Sequence, residues 1–452
     1  MLWKMHKVLF KLKKKANNLF LDQKFSEILT GSAYALSAQV IATVAGTITS
    51  IIIARFYGAE ILGILAVINS YLMLVTIFTV LGTDTSILRL IPEHITKYSV
   101  SSAFKVYLKT QYFVIGISGI ISLILYLTSG FIADKIFSKP HLKSYFALAA
   151  FFIIFKSLMR LNTQAVRGVR RIKEFAFMQL LPSISKLLIL VSISIFFYHK
   201  NLPIYAMFIS FIITALVGAW IVNRSLKQQT SSNNTIYSMS IREILTISIP
   251  MLMTATMTFI IGQTGVIMLG IFRPEIEVGY YAVAVRLATL TTFILNAVNS
   301  MAGPKFSELY NAGKVDELFH VAKKSAKLIF YTTFPILLSL IFFGKPVIML
   351  LYGEDFKVVY GAMVLLIMGQ FINSISGATA LFMNMTNNQI IFRNFVFIAA
   401  LLNLFLNILL TPLYGLYGAA AAGMVSLTTW NVTTLYYIKR KYGKTIGYFP
   451  FF

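Results

Sequence analysis

The chain has 452 residues, of which 58% are hydrophobic and 14% aromatic, and its formal net charge is +25. Composition this apolar excludes an ordinary soluble domain and argues for a polytopic membrane protein. There is no cysteine, and all five histidines fall in expected loops or the N-terminal segment, so disulfides, thiolate chemistry and an intramembrane histidine site are excluded.

Residues 1–28 form a basic N-terminal segment in which Leu2, Met5, Leu9 and Leu12 recur at helical intervals between lysines. That pattern suits the surface of an anionic lipid leaflet. Apolar runs long enough to cross a bilayer follow at about 29–53, 61–82, 111–130, 145–165, 176–198 and 203–223. A polar stretch containing Gln228, Gln229, Thr230, Ser231, Ser232, Asn233 and Asn234 reads as a linker within 224–243. Six more runs lie at about 246–271, 279–303, 326–344, 358–379, 394–411 and 415–437, ahead of a tail over 439–452.

The expectation is therefore an all-α protein of twelve transmembrane helices. Of the Lys and Arg residues, 27 lie in the termini and even-numbered loops and 8 in the odd-numbered loops. Positive loops stay cytoplasmic, which places both termini on the cytoplasmic side of a cell membrane. The charge is thereby explained without nucleic acid.

An offset of 216 residues aligns Glu27–Thr76 with Glu243–Thr292 without a gap. Matches include Glu27-Ile28-Leu29-Thr30 with Glu243-Ile244-Leu245-Thr246, Gly46 with Gly262, Phe56 with Phe272, Gly63 with Gly279, and Ala66-Val67 with Ala282-Val283. A repeat of six spans preserves orientation, so two six-helix lobes, 29–223 and 244–438, are expected about a pseudo-two-fold axis along the membrane normal. Every inter-span stretch is too short for a soluble catalytic domain, and no enzymatic activity or cofactor is expected.

Lys156, Lys186 and Arg286 lie inside apolar runs, whereas none of the fifteen Asp and Glu residues does. A charge at a helix centre costs roughly 2.5 to 3.5 kcal/mol on insertion scales, so it faces a cavity or a partner. Cations without acids point to an anionic ligand. Lys156, Arg160, Gln164 and Arg167 share a helix face and form a basic track. Arg286 has Ser70 as its repeat partner, so packing alone does not require a guanidinium there, and its planar fork suits phosphate or carboxylate. Gln39, Asn69 and Gln263 are the uncharged polar residues best placed to hydrate a cavity and meet sugar hydroxyls.

Several stretches resemble the polysaccharide transporter family of the multidrug/oligosaccharidyl-lipid/polysaccharide exporter superfamily. They are Ala54-Arg55-Phe56-Tyr57-Gly58-Ala59-Glu60, Leu81-Gly82-Thr83-Asp84-Thr85-Ser86, Gly279-Tyr280-Tyr281-Ala282-Val283-Ala284, Pro304-Lys305-Phe306-Ser307-Glu308, Leu402-Asn403-Leu404-Phe405-Leu406-Asn407 and Pro412-Leu413-Tyr414-Gly415-Leu416-Tyr417-Gly418. These are turn and packing motifs, not catalytic signatures. The resemblance implies an O-antigen or exopolysaccharide flippase that moves a polyprenyl-pyrophosphate-linked oligosaccharide to the outer leaflet through a cationic cavity, with Arg286 at a basic position of the eighth span. It implies further partners, a coupling proton or sodium ion and a downstream polymerase. Many relatives carry an acid in the seventh span where this chain has Gln263-Thr264-Gly265, so ion coupling is an open point. Two alternatives stand beside this reading: a cation-coupled multidrug exporter of the same superfamily and a polysaccharide polymerase or ligase.

Overall fold

The computed structural model describes residues 23–227 and 237–449, with side chains undescribed for 23–33, 254 and 255. The basic segment 1–15 and much of the linker 224–243 lie outside these residues. The described chain is helical: α1 (Gln23–Val80), α2 (Thr83–Lys97), α3 (Val100–Phe131), α4 (Lys143–Gly168), α5 (Ile172–Phe196), α6 (Leu202–Lys227), α7 (Ile241–Phe272), α8 (Glu275–Ala288), α9 (Thr292–Asn311), α10 (Val315–Tyr352), α11 (Val359–Ser376), α12 (Thr379–Met385), α13 (Gln389–Tyr414) and α14 (Leu416–Tyr442). No strand is present among the described residues.

Among these, nine helical stretches are long and apolar enough to cross a membrane, and α7, bent by 46°, makes ten. Two further crossings complete the expected twelve. The first stretch is two spans, because α1 breaks at Gly58, whose φ of 82° and ψ of 172° only glycine adopts without cost. The other is α14, less apolar than the rest but packed on α11 and α13, and ending in Lys439, Arg440 and Lys441. α8 and α9 together form the eighth span, and α2 extends the second beyond Leu81 and Gly82.

Repeat symmetry appears directly in the contact between the halves. A Cβ added to Gly63 would strike the carbonyl oxygen of Glu275, and one added to Gly279 would strike that of Ala59. An offset of 216 exchanges the two contacts, since Ala59 pairs with Glu275 and Gly63 with Gly279. This self-complementary pattern is what a two-fold axis generates. The second span and α8 therefore cross backbone to backbone near Gly58.

Polar contacts reinforce that end. The Arg55 guanidinium donates to the carbonyls of Met349, Leu350 and Leu351 in the last turn of α10. Lys139 donates to the Arg273 carbonyl at 2.6 Å and lies 3.5 Å from the Glu275 carboxylate, which His141 also meets at 2.9 Å. At the opposite end the start of α7 leans on the first half, with Ser86 and Ser248 hydroxyls 2.7 Å apart and Lys109 donating to Ser238 and Met239.

Candidate functional site: a cationic cavity between the halves

Below the Gly58 end lies a cavity of about 550 Å³, within the range typical of ligand sites. The first, second, fourth, fifth and sixth spans line it from one side, and α7 with the eighth span from the other. Its lining contains Lys156, Lys186, Arg286, Asn69 and Gln263, so five of the seven residues expected from the sequence meet in one place. Asp and Glu are absent from the lining among the described residues.

Each cation arrives by a different route. Lys156 comes from α4, and its ammonium sits 4.1 Å from the centre of the Phe211 ring. A cation over an aromatic face gains about 0.5–2 kcal/mol, so Lys156 has a stabilising neighbour that leaves its charge intact. Lys186 stands one turn after Pro182 on α5, and both line the cavity. Lys186, Arg286 and Lys156 thus line the same cavity. Arg286 comes from α8 and reaches across to the first span, where a Cβ on Gly46 would lie 3.0 Å from its Nη1. None of the three has a carboxylate partner among the described ion pairs.

The two remaining expected residues are placed elsewhere. Arg160 is outside the cavity lining and pairs with Asp84, Nε to Oδ2 at 2.5 Å. Arg160 thus has a counter-charge that lies outside the apolar runs. Asp84 stands just past the second apolar run, on the first turn of α2, and its residue exposure is only 3%. Gln39 is half-buried, also outside the lining, and its carbonyl accepts a bond from Thr43.

Phe211, Gly46, Ser70 and Pro182 also line the cavity, and sequence reasoning did not select them as site residues. A phenylalanine or glycine in an apolar span carries no signal of its own. Ser70 was visible only as the repeat partner of Arg286; it donates to Gln263 Oε1 at 2.7 Å and so joins the two halves inside the cavity.

The chain matches the family described as "Polysaccharide biosynthesis protein" over residues 62–360. It belongs to that family. A relative named as a probable low-salt glycan biosynthesis flippase, Agl15 of Haloferax volcanii, is 22% identical over 297 residues, covering 65% of this chain and 60% of the relative. The chain thus spans less than two thirds of that relative's length. Among solved structures, an inward-facing multidrug resistance MATE transporter of the MOP superfamily resembles this family member with a TM-score of 0.69 and 14% identity, covering 91% of this chain and 98% of that one. Lipid II flippase MurJ, in an inward closed conformation, follows at 0.62 and 17%, covering 89% and 86%. A MOP superfamily transporter from Pyrococcus furiosus, whose binding pocket is described as of reverse polarity, also matches at 0.62 and 12%, covering 92% and 95%. These likenesses establish the two-lobe, twelve-helix fold for this polysaccharide biosynthesis protein.

Proposed function

We propose that the protein is a flippase for a polyprenyl-pyrophosphate-linked oligosaccharide, moving it from the cytoplasmic to the outer leaflet for surface polysaccharide assembly. The observation that carries this reading is the cavity with three cations and no carboxylate. Diphosphate carries the opposite charge into a low-dielectric space, where it offsets the desolvation of Lys156, Lys186 and Arg286. Arg286 grips phosphate through its fork, while Lys186 and Lys156 act as point charges. Asn69 and Gln263 face the sugars, and the prenyl chain stays in lipid. Arg160, held by Asp84, and Gln39 act outside this contact set.

Lobes 29–223 and 244–438 rock about the cavity to expose it alternately to the two sides, with 1–28, 224–243 and 439–452 on the cytoplasmic face. The membrane is the cytoplasmic one. Transport alters no covalent bond, so no catalytic residue or cofactor is required. A multidrug exporter for cationic drugs would gain from acids in the lining, and the described lining offers none. Proton or sodium coupling and delivery to a polymerase belong to the same reading.

Arg286→Ala and Lys156→Ala should each abolish surface-polysaccharide export in a strain lacking its flippase while membrane levels stay normal. Full complementation by both variants would sink the cationic-cavity reading.

A further inference from the structure

Repeat symmetry allows each lining residue of the first, second, seventh and eighth spans to be compared with its mate 216 positions away. On one side of the axis the Arg286 guanidinium covers Gly46, so a Cβ there would crowd Nη1 at 3.0 Å. The mates of this pair are Ser70 and Gly262. Gly262 lines the same cavity and is exposed, and a Cβ built on it meets nothing within 4 Å. The fold thus has two related corners. One is filled by a guanidinium; the other is open and edged by a hydroxyl and an amide.

Polarity of the open corner follows from its hydrogen bonding. Ser70 occupies Gln263 Oε1 at 2.7 Å, which leaves the Gln263 amide N–H groups for the cavity. Thr47, the mate of Gln263, lines the opposite corner. Neutral donors and acceptors beside open space suit hydroxyl groups, whereas the three cations suit phosphate. A site that hydrogen-bonds a ligand hydroxyl also rejects ligands lacking it, because its own polar groups are then left unpaired.

We infer that the Gly262 corner is a sugar subsite, in which the Gln263 amide, held in place by the buried Ser70 hydroxyl, receives the hydroxyls of the residue adjoining the diphosphate while Arg286, Lys186 and Lys156 hold the phosphates. This rests on the flippase reading above. The duplicated frame then gives the cargo a direction across the axis, charge at one corner and sugar at the other. Selection for a glycosylated carrier over the bare lipid pyrophosphate takes place at the Gly262 corner.

The test uses two probes, farnesyl pyrophosphate and farnesyl-pyrophosphoryl-N-acetylglucosamine, which differ by one sugar, binding to the purified full-length protein. The wild type should hold the sugar-bearing probe about tenfold more tightly, the worth of one or two good hydrogen bonds. Gly262→Val fills the open corner and Gln263→Ala removes its donor without adding bulk, so each should bring the ratio of affinities close to one. Arg286→Ala should weaken both probes. Equal affinities in the wild type, or an undiminished ratio in Gln263→Ala and in a folded Gly262→Val, would overturn the subsite while the cationic reading stands. Failure of the wild type to bind either probe would remove both.

Discussion

At the scale of single residues, charges in the bundle separate into two kinds by their partners. Arg160 has a carboxylate at 2.5 Å, whereas Lys156 lies over an aromatic ring, Arg286 lies against a glycine, and Lys186 lines the same cavity as both. Asp84 Oδ1 has no hydrogen-bond partner, so the pair is stabilised at one oxygen only. Asp84→Asn should leave Arg160 without its counter-charge and cost about 2 kcal/mol, as expected for a hydrogen bond to a charged group. Thermal unfolding in detergent reads this as a lower Tm, and Asp84→Asn combined with Arg160→Met should recover part of it. An unchanged Tm in the single variant would show the pair to be idle. For Lys139, outside the spans, burial pushes its ammonium below the ordinary lysine value, and Glu275 partly restores it. The folded state therefore releases that proton more readily than the unfolded chain. This ammonium opposes folding at low pH, and the opposition fades as pH rises through the lowered value.

Among the helices, the crossing of the second span and α8 sets how closely the halves meet. Gly63 and Gly279 allow backbone to touch backbone, and any larger residue would meet a carbonyl oxygen that has no rotamer to change. Because the chain lacks cysteine, introduced pairs report without background. Ala59→Cys with Glu275→Cys should cross-link readily, and adding Gly63→Val should cut the yield at least several-fold while the protein remains in the membrane. Undiminished cross-linking would mean the crossing tolerates a side chain. α7 is built on the same economy at its start. Ser240 and Glu243 form a reciprocal cap, and the Ser240 backbone bond holds the Glu243 carboxyl below its usual value.

Across the whole molecule, the two-fold relation explains how one cavity comes to have unlike corners. Duplication supplies equivalent positions, and a single difference, Ser70 against Arg286, fills one with charge. Orientation in the membrane is testable through the loops. Lys200→Cys and Thr235→Cys should label from opposite sides of intact cells or vesicles with an impermeant maleimide. Labelling of both from the same side would overturn the two-lobe topology. Arg55, Lys139 and His141 from the first half reach α10, Arg273 and Glu275 from the second at the Gly58 end. Any opening of that end must break these contacts together.

Twelve crossings, the six-span repeat and the three cations were legible from the amino-acid order. Hydropathy, a fixed offset and a charge within an apolar run are all properties of positions near one another along the chain. Asp84 escaped because it falls two residues beyond the second apolar run, where nothing local indicates that α2 tucks back against α4. Phe211 escaped because one more aromatic in a lipid-crossing helix is unremarked until a lysine lies over its face. That the cations share one cavity, that Arg160 is withdrawn to Asp84, and that Gly262 faces open space while Gly46 is covered were decided by the tertiary structure alone. Each depends on distances between residues far apart in sequence, which only the packing of one half against the other sets.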